Sequence, residues 1–383
     1  MFKNFFILII KFLLLIVLIY GIYFIYNNHF KNNSLLNGPL EFIKDSNFSN
    51  TIIDSDYNTT NNSTENLNTQ KINIAENILE ATTNTTNTHY VTPVSTPKYF
   101  RYYYNQLDYP ARIIYSALDK NITNLKSNNF NIVFNKTFNK LLNQENGRES
   151  LNNSFQSAID AFTYDHPELF YLDVTKVSLV IESTTFANKT TYNVYITPKA
   201  TNYLKDNFSS IDKLETAIFQ VESLKNTIVN NVNGSNYNKI LTVHDTIIDL
   251  MKYDETYSKE NTHNIYGALV EKQAVCEGYA KAFKYILDSL DIPCILVAGT
   301  GTNSSGQTEA HMWNYVKLDN NWYGVDVTWD DPIIVGGFIK NAIRHDYFCK
   351  GSTKFNSSHK PDGNISDKGM EFILPTISTI NYK

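Results

Sequence analysis

Cys276, His311 and Asp326 follow one another within 51 residues. These are the residue types of thiol acyl chemistry. A thiolate attacks a carbonyl, an imidazole takes up and returns the proton, and a carboxylate fixes the imidazole tautomer. Their order carries meaning only if local structure brings them together. Cys276-Glu277-Gly278-Tyr279-Ala280 opens a helical pattern with Tyr279, Phe283, Ile286, Leu287 and Leu290 on its apolar face, ending before Ile292-Pro293. A cysteine at a helix N-terminus meets unpaired backbone N–H groups and the positive end of the macrodipole, which favour the thiolate and offer donors to an oxyanion. The same position also suits a small buried hydrophobe, so Cys276 alone assigns nothing.

The downstream hairpin adds the other two groups. Ala310 to Leu318 and Asn321 to Trp329 are rich in aromatic and β-branched residues, and Asp319-Asn320 between them suits a two-residue primed turn. Such a loop pairs Leu318 with Asn321. Asp326 then falls opposite Trp313 and becomes a same-face diagonal neighbour of His311. A one-residue slip would put imidazole and carboxylate on opposite faces.

Other constellations fit their chemistry less well. Cys276, Cys294, His311 and His345 lack ligand spacing on one turn, and Cys294 lies in the apolar strand Ile292 to Ala298, which argues against zinc. Asp330-Asp331-Pro332 reads as a turn at a strand end, with too few oxygens for calcium. Gly299-x-Gly301 with Gly306 reads as a flexible loop bordering a cleft, since no helix start follows to make a phosphate cradle.

The surrounding chain of 383 residues has room for two or three domains, and 42% apolar residues are enough for a sizeable core. A net charge of -5 with only 19% charged residues argues against nucleic acid as a partner. Three irregularly spaced cysteines, Cys276, Cys294 and Cys349, make no disulfide scaffold. Phe5 to Tyr26 is apolar apart from Lys11 and long enough to cross a bilayer, and no small-residue cleavage site follows. Residues 1–30 are therefore expected to be a cytoplasmic tail and an uncleaved signal-anchor helix. Lys3 and Lys11 outweigh Lys31, which puts the rest of the chain outside the cell. Residues 31–97 hold 14 Asn and 12 Thr, with only Phe48 and Tyr57 as aromatics between 43 and 89, and read as a disordered linker. Sequons at Asn47 and Asn58 receive no role there, and Ile72 to Ala81 gives a faint helical pattern.

Aromatic density rises at Tyr99, and residues 98–205 read as a small α+β companion module. Ile113, Ile114, Ala117 and Leu118 form one helical face; Phe155, Ala158, Ile159 and Phe162 form another that stops at Asp165-His166-Pro167. Val177, Leu179 and Ile181, then Tyr192, Val194 and Ile196, alternate as a hairpin turning near Asn188-Lys189. A helix from about Ser210 to Val232, capped by Ser209 or Ser210, opens the region 206–383 that holds the candidate triad.

Gln273-Ala-Val-Cys276-Glu-Gly-Tyr-Ala280, His311-Met-Trp-Asn314 and Trp322-Tyr-Gly-Val-Asp326-Val-Thr-Trp-Asp-Asp-Pro332 resemble the three motif blocks of the bacterial transglutaminase-like superfamily. Within it, the chain is most similar to clostridial-type membrane-anchored proteins with cytokinesis-related transglutaminase-like domains. The resemblance covers roughly 240 to 350, with Tyr266-Gly267-Ala268-Leu269 and Asp346-Tyr347-Phe348 also fitting, and Asp165 to Phe170 resembles the companion module of such proteins. Met312 and Cys349 depart mildly from the pattern, and Cys349 is read as core. The resemblance implies a papain-like α+β core of helices packed on an antiparallel sheet, a Cys276–His311–Asp326 triad, and neither metal nor organic cofactor. Gln273 resembles the oxyanion glutamine of papain-like enzymes. Tyr266 and Trp313 are expected as pocket walls, on the aromatic preference of substrate sites. The expected function is that of a membrane-anchored, extracytoplasmic cysteine protease, amidase or crosslinking acyltransferase acting on peptide or protein substrates, cell-wall or surface proteins among them. The sequence does not choose between water and an amine as second substrate, nor set the oligomeric state. A non-catalytic envelope scaffold retaining the fold is the alternative.

Overall fold

The computed structural model describes residues 54–56, 100–257, 259–331 and 343–383, the first three by backbone alone. The apolar run at 5–26, the faint helix at Ile72 to Ala81, both sequons and Pro332 lie outside the described residues. Among the described residues no helix is long and apolar enough to cross a membrane. Within the stretch expected as linker, β1 (Asp54–Asp56) pairs in parallel with a strand of the companion module.

In that module, α1 (Tyr109–Lys120) starts where the Asp108 carboxylate accepts the Ala111 N–H at 2.8 Å and Pro110 occupies the first turn. Strand β2 (Ile132–Asn135) follows, then α2 (Gly147–Asp165), which ends at the expected Asp165-His166-Pro167 stop. Its last carboxylate accepts the N–H groups of Tyr103 and Tyr104 at 3.2 and 2.9 Å. The hairpin β3 (Val177–Phe186) and β4 (Lys189–Pro198) turns at Ala187-Asn188, one residue earlier than expected, with φ of 47° and 63°. The sheet order is β1-β3-β4-β2.

Helices α3 (Ile211–Asn230) and α4 (Asn236–Leu250) open the second region. The short parallel pair β5 (Lys252–Tyr253) and β6 (Gln273–Ala274) leads into α5 (Cys276–Ser289). That helix packs on an antiparallel sheet ordered β10-β7-β8-β9, built from β7 (Cys294–Thr302), β8 (Thr308–Leu318), β9 (Asn321–Val325) and β10 (His359–Asp362). This is a mixed α+β fold with helices laid on an antiparallel sheet.

The expected boundary at 205/206 coincides with no gap in packing. One hydrophobic core runs through both regions. The C-terminal segment returns to the module, where Ser366 Oγ donates to Asp160 at 2.6 Å and Met370 N–H donates to Ser157 Oγ at 2.9 Å.

Candidate active site

The register of the β8–β9 hairpin positions the first pair of groups. Leu318 pairs with Asn321 across Asp319-Asn320, whose φ values of 47° and 66° make the two-residue primed turn. The ladder runs to Asn314 opposite Val325, so Asp326 follows at the level of Trp313, at the point where β9 ends. His311 Nε2 and Asp326 Oδ2 are 2.7 Å apart, both side chains fully enclosed.

Asp326 itself is not a strand residue, contrary to the expectation of a strand running to Trp329. The chain breaks into a helical turn, Val327–Asp330, because Asp326 Oδ1 accepts the N–H groups of Thr328 and Trp329 at 3.0 and 3.1 Å. One carboxyl oxygen thus caps the turn while the other faces imidazole. Burial would raise its pKa, but His311 and then His359 outweigh that penalty and hold this carboxyl well below the usual carboxylate range.

Gly299 and Gly301 are also placed differently from the sequence reading. They lie inside β7, opposite His311 and Glu309, and the loop is confined to the residues between β7 and β8. A Cβ on Gly301 would stand 2.7 Å from the Trp329 ring and 3.3 Å from His311 Cβ. The glycine is what lets Trp329 stack on His311, at 4.8 Å between centroids and 23° between planes.

Cys276 enters from the opposite layer as the first residue of α5, 3% exposed, with no side chain capping the helix start. The first-turn N–H groups are therefore left to a bound group. Gly278 allows this start to sit under the loop at Thr262: a Cβ there would meet Thr262 O at 2.4 Å and Ala274 Cβ at 2.7 Å, while Val275 N–H donates to the same Thr262 O at 3.0 Å. Cys276 lies close enough to His311 to act on its ring electrostatically. Since Nε2 is engaged by Asp326, Nδ1 is the nitrogen left for sulfur. Burial opposes a charge on His311, yet Asp326 and then Cys276 raise its pKa well above the ordinary histidine value.

Two features carried no sequence signal. His359, on β10, also directs Nε2 at Asp326 Oδ2, 2.9 Å away, and its Nδ1 is 3.0 Å from Ser358 Oγ. Only the pairing of β10 with β7 brings it there. Burial lowers its pKa despite the carboxylate, so it sits as a neutral donor. Tyr253 and Tyr257, with hydroxyls 3.0 Å apart, lie near Cys276; burial first, and the sulfur next for Tyr253, raise their pKa values.

The remaining candidates sit elsewhere. The Gln273 amide donates to Asp254 at 3.1 Å rather than standing uncommitted at the thiol. Tyr266 packs at the joint with the companion module, stacked on Phe170 at 5.8 Å and edge-on to Phe208 at 5.3 Å. Trp313 is 1% exposed and lies beneath the site, 4.9 Å from His359 and 6.0 Å from His311 between ring centroids. Asp330 and Asp331 lie at the end of the turn that follows β9 and are buried there: Asp330 accepts the Tyr347 N–H at 3.0 Å, and Asp331 accepts the Tyr279 hydroxyl at 2.8 Å. Cys294 and Cys349 are buried core thiols whose pKa values burial raises.

Residues 222–327 match the family model of the Transglutaminase-like superfamily. Kyphoscoliosis peptidase of Mus musculus and that of Homo sapiens are each 25% identical over 146 residues, covering 35% of this chain. The chain spans about a fifth of the length of these curated relatives, 21% in each case. A solved structure described as a TGase superposes at a TM-score of 0.28 with 12% identity, over 46% of this chain and 58% of its own.

Proposed function

We propose, for a chain that carries a transglutaminase-like superfamily domain, that Cys276, His311 and Asp326 perform acyl transfer from a peptide or carboxamide substrate. The observation that carries this reading is the enclosed His311–Asp326 pair, 2.7 Å apart, with Cys276 at the start of α5 close enough to act on the imidazole. Asp326 accepts the Nε2–H of His311, which leaves Nδ1 to the thiol, and the carboxylate raises the affinity of the ring for the thiol proton. Nδ1 takes the thiol proton as sulfur attacks the carbonyl carbon. The oxyanion that forms is met by N–H groups of the first turn of α5. His311 then returns the proton to the departing amine, leaving a thioester on Cys276. Water resolves it in a peptidase or amidase, and a primary amine resolves it in a crosslinking transferase. The peptidase names of the curated relatives favour hydrolysis.

A reactive thiol is the direct test. In the folded protein at neutral pH, iodoacetamide should modify Cys276 much faster than Cys294, followed by peptide mass spectrometry, and His311→Ala should remove the difference. Equal rates at the two cysteines would leave a binding scaffold as the better reading.

The apolar run at residues 5–26 and the Lys3 and Lys11 bias support a membrane anchor with this domain outside the cell, facing surface or cell-wall proteins. Protease added to intact cells should then release the domain by cutting within residues 31–97. Protection equal to that of a cytosolic marker would reverse the topology.

A further inference from the structure

A second histidine–carboxylate cluster lies outside the site described above. His244 and Asp245 are neighbours on α4, and His345 reaches them from 100 residues away. His244 Nδ1 and His345 Nε2 both converge on Asp245 Oδ1, at 2.9 and 2.8 Å. The three donor atoms lie within 4.8 Å of one another. His244 is enclosed, whereas the side chains of Asp245 and His345 are 33% and 41% exposed, so the cluster has an inner anchor and an outer face open to solvent.

The proton count at His244 is the unusual feature. Its other nitrogen, Nε2, faces a second carboxylate, the enclosed Asp330 Oδ2 at 3.2 Å. A neutral imidazole carries one N–H, so it can donate to one of its two carboxylates and turns a lone pair toward the other. A second positive particle is needed on one side. A proton can serve, and so can a metal ion, which would bind Nδ1 and leave Nε2–H donating to Asp330. A ligating histidine whose far N–H is held by a buried carboxylate is the usual outer-shell arrangement of metal sites. At a tetrahedral angle two ligands each about 2.1 Å from one ion stand about 3.4 Å apart, so a bound ion would open the two contacts to Asp245 Oδ1, 2.9 and 2.8 Å, by about half an ångström.

We propose that His244 Nδ1, Asp245 Oδ1 and His345 Nε2 bind a borderline divalent transition metal, zinc first, with water completing the shell on the exposed side. Two imidazoles and one carboxylate suit zinc, cobalt or nickel, whereas calcium and magnesium call for more oxygen donors than this cluster supplies. The ion would pin the segment around His345 to α4. Asp330 extends that pin, because it also holds Tyr347 N–H and closes the turn begun by Asp326. The cluster of His311, Asp326 and His359 has a similar donor set, but all of it is buried and it includes two members of the proposed triad, so it belongs to the active site.

Zinc also has affinity for a cysteine–histidine pair, so the test uses full-length protein carrying Cys276→Ala, titrated with Zn²⁺ by calorimetry and with Co²⁺ by absorption. One equivalent should bind, the Co²⁺ spectrum should lack a thiolate charge-transfer band, and Zn²⁺ should raise Tm. His345→Ala, at an exposed position, and Asp245→Asn, at a half-buried one, should each weaken binding by about 100-fold. His311→Ala in the same background should leave it unchanged. No binding at tenfold molar excess would leave His244 as an imidazolium and overturn the site. So would a thiolate band, or loss of binding with His311→Ala in place of His345→Ala.

Discussion

Asp326→Asn is expected to slow acylation of Cys276 by about four orders of magnitude while the protein stays folded, the scale set by amide replacement of the orienting carboxylate in serine triads. The isosteric amide can keep its oxygen on the Thr328 and Trp329 N–H groups, which preserves the turn. Its NH2 then occupies the place of Oδ2, where two imidazole nitrogens now converge. Donor would meet donor, so His311 must move its proton to Nδ1. That is the nitrogen left for the sulfur, and a protonated Nδ1 cannot accept the thiol proton. If the amide flips instead, the turn loses its cap and the loss appears as destabilisation. Single-turnover acylation beside a urea unfolding curve separates the two. A loss of less than about tenfold with unchanged unfolding would remove Asp326 from the triad.

The parts of this site legible in the sequence were those set by local chemistry. The helix start at Cys276 and the two-residue turn at Asp319-Asn320 depend on neighbours only, and the turn alone sets the register that aligns Asp326 with His311. The break at Asp326 was also local, an aspartate N-cap hidden by the strand-like residues Val327 and Trp329 around it. His359 was not legible, because its place depends on an edge strand, β10, whose partner β7 lies some 60 residues earlier in the chain. The same holds for His345 beside His244, which spacing on one turn could not reveal. Gly299 and Gly301 looked like loop residues because glycine is common in both settings; the β10 backbone at Lys360 and the Trp313 ring beside Gly299, and the Trp329 ring beside Gly301, explain their presence in a strand. The packing of Tyr266 on Phe170 was not legible either, because an aromatic beside a catalytic motif serves equally well at a joint between modules. The anchor was read from a segment outside the described residues, and the protease experiment bears on it directly.

Glu277, next to the nucleophile, should dominate one part of the acid limb of stability. Its buried carboxylate contacts His263 Nδ1 at 2.9 Å and accepts from Lys281 Nζ. Burial alone would raise its pKa, but Lys281 and then His263 bring it down to about 2. An unfolded chain would titrate the same group near 4.3. Because the folded value is the lower one, the stabilisation is complete above about pH 5 and is lost as pH falls toward 2. It amounts to roughly 3 kcal/mol, since each tenfold difference in proton affinity between the folded and unfolded chains is worth about 1.4 kcal/mol. Asp326 is shifted the same way, whereas Asp160 and Asp288 are raised to about 7 by burial and push the other way, so the total curve is composite. Subtraction isolates the one group. Glu277→Gln should be less stable than the parent by about 3 kcal/mol at pH 7, and the gap should close as the pH approaches 2. Urea unfolding of both proteins across that range measures it. A gap that stays constant from pH 7 to pH 2 would mean that packing of the side chain, and not its charge between Lys281 and His263, holds the start of α5 in place.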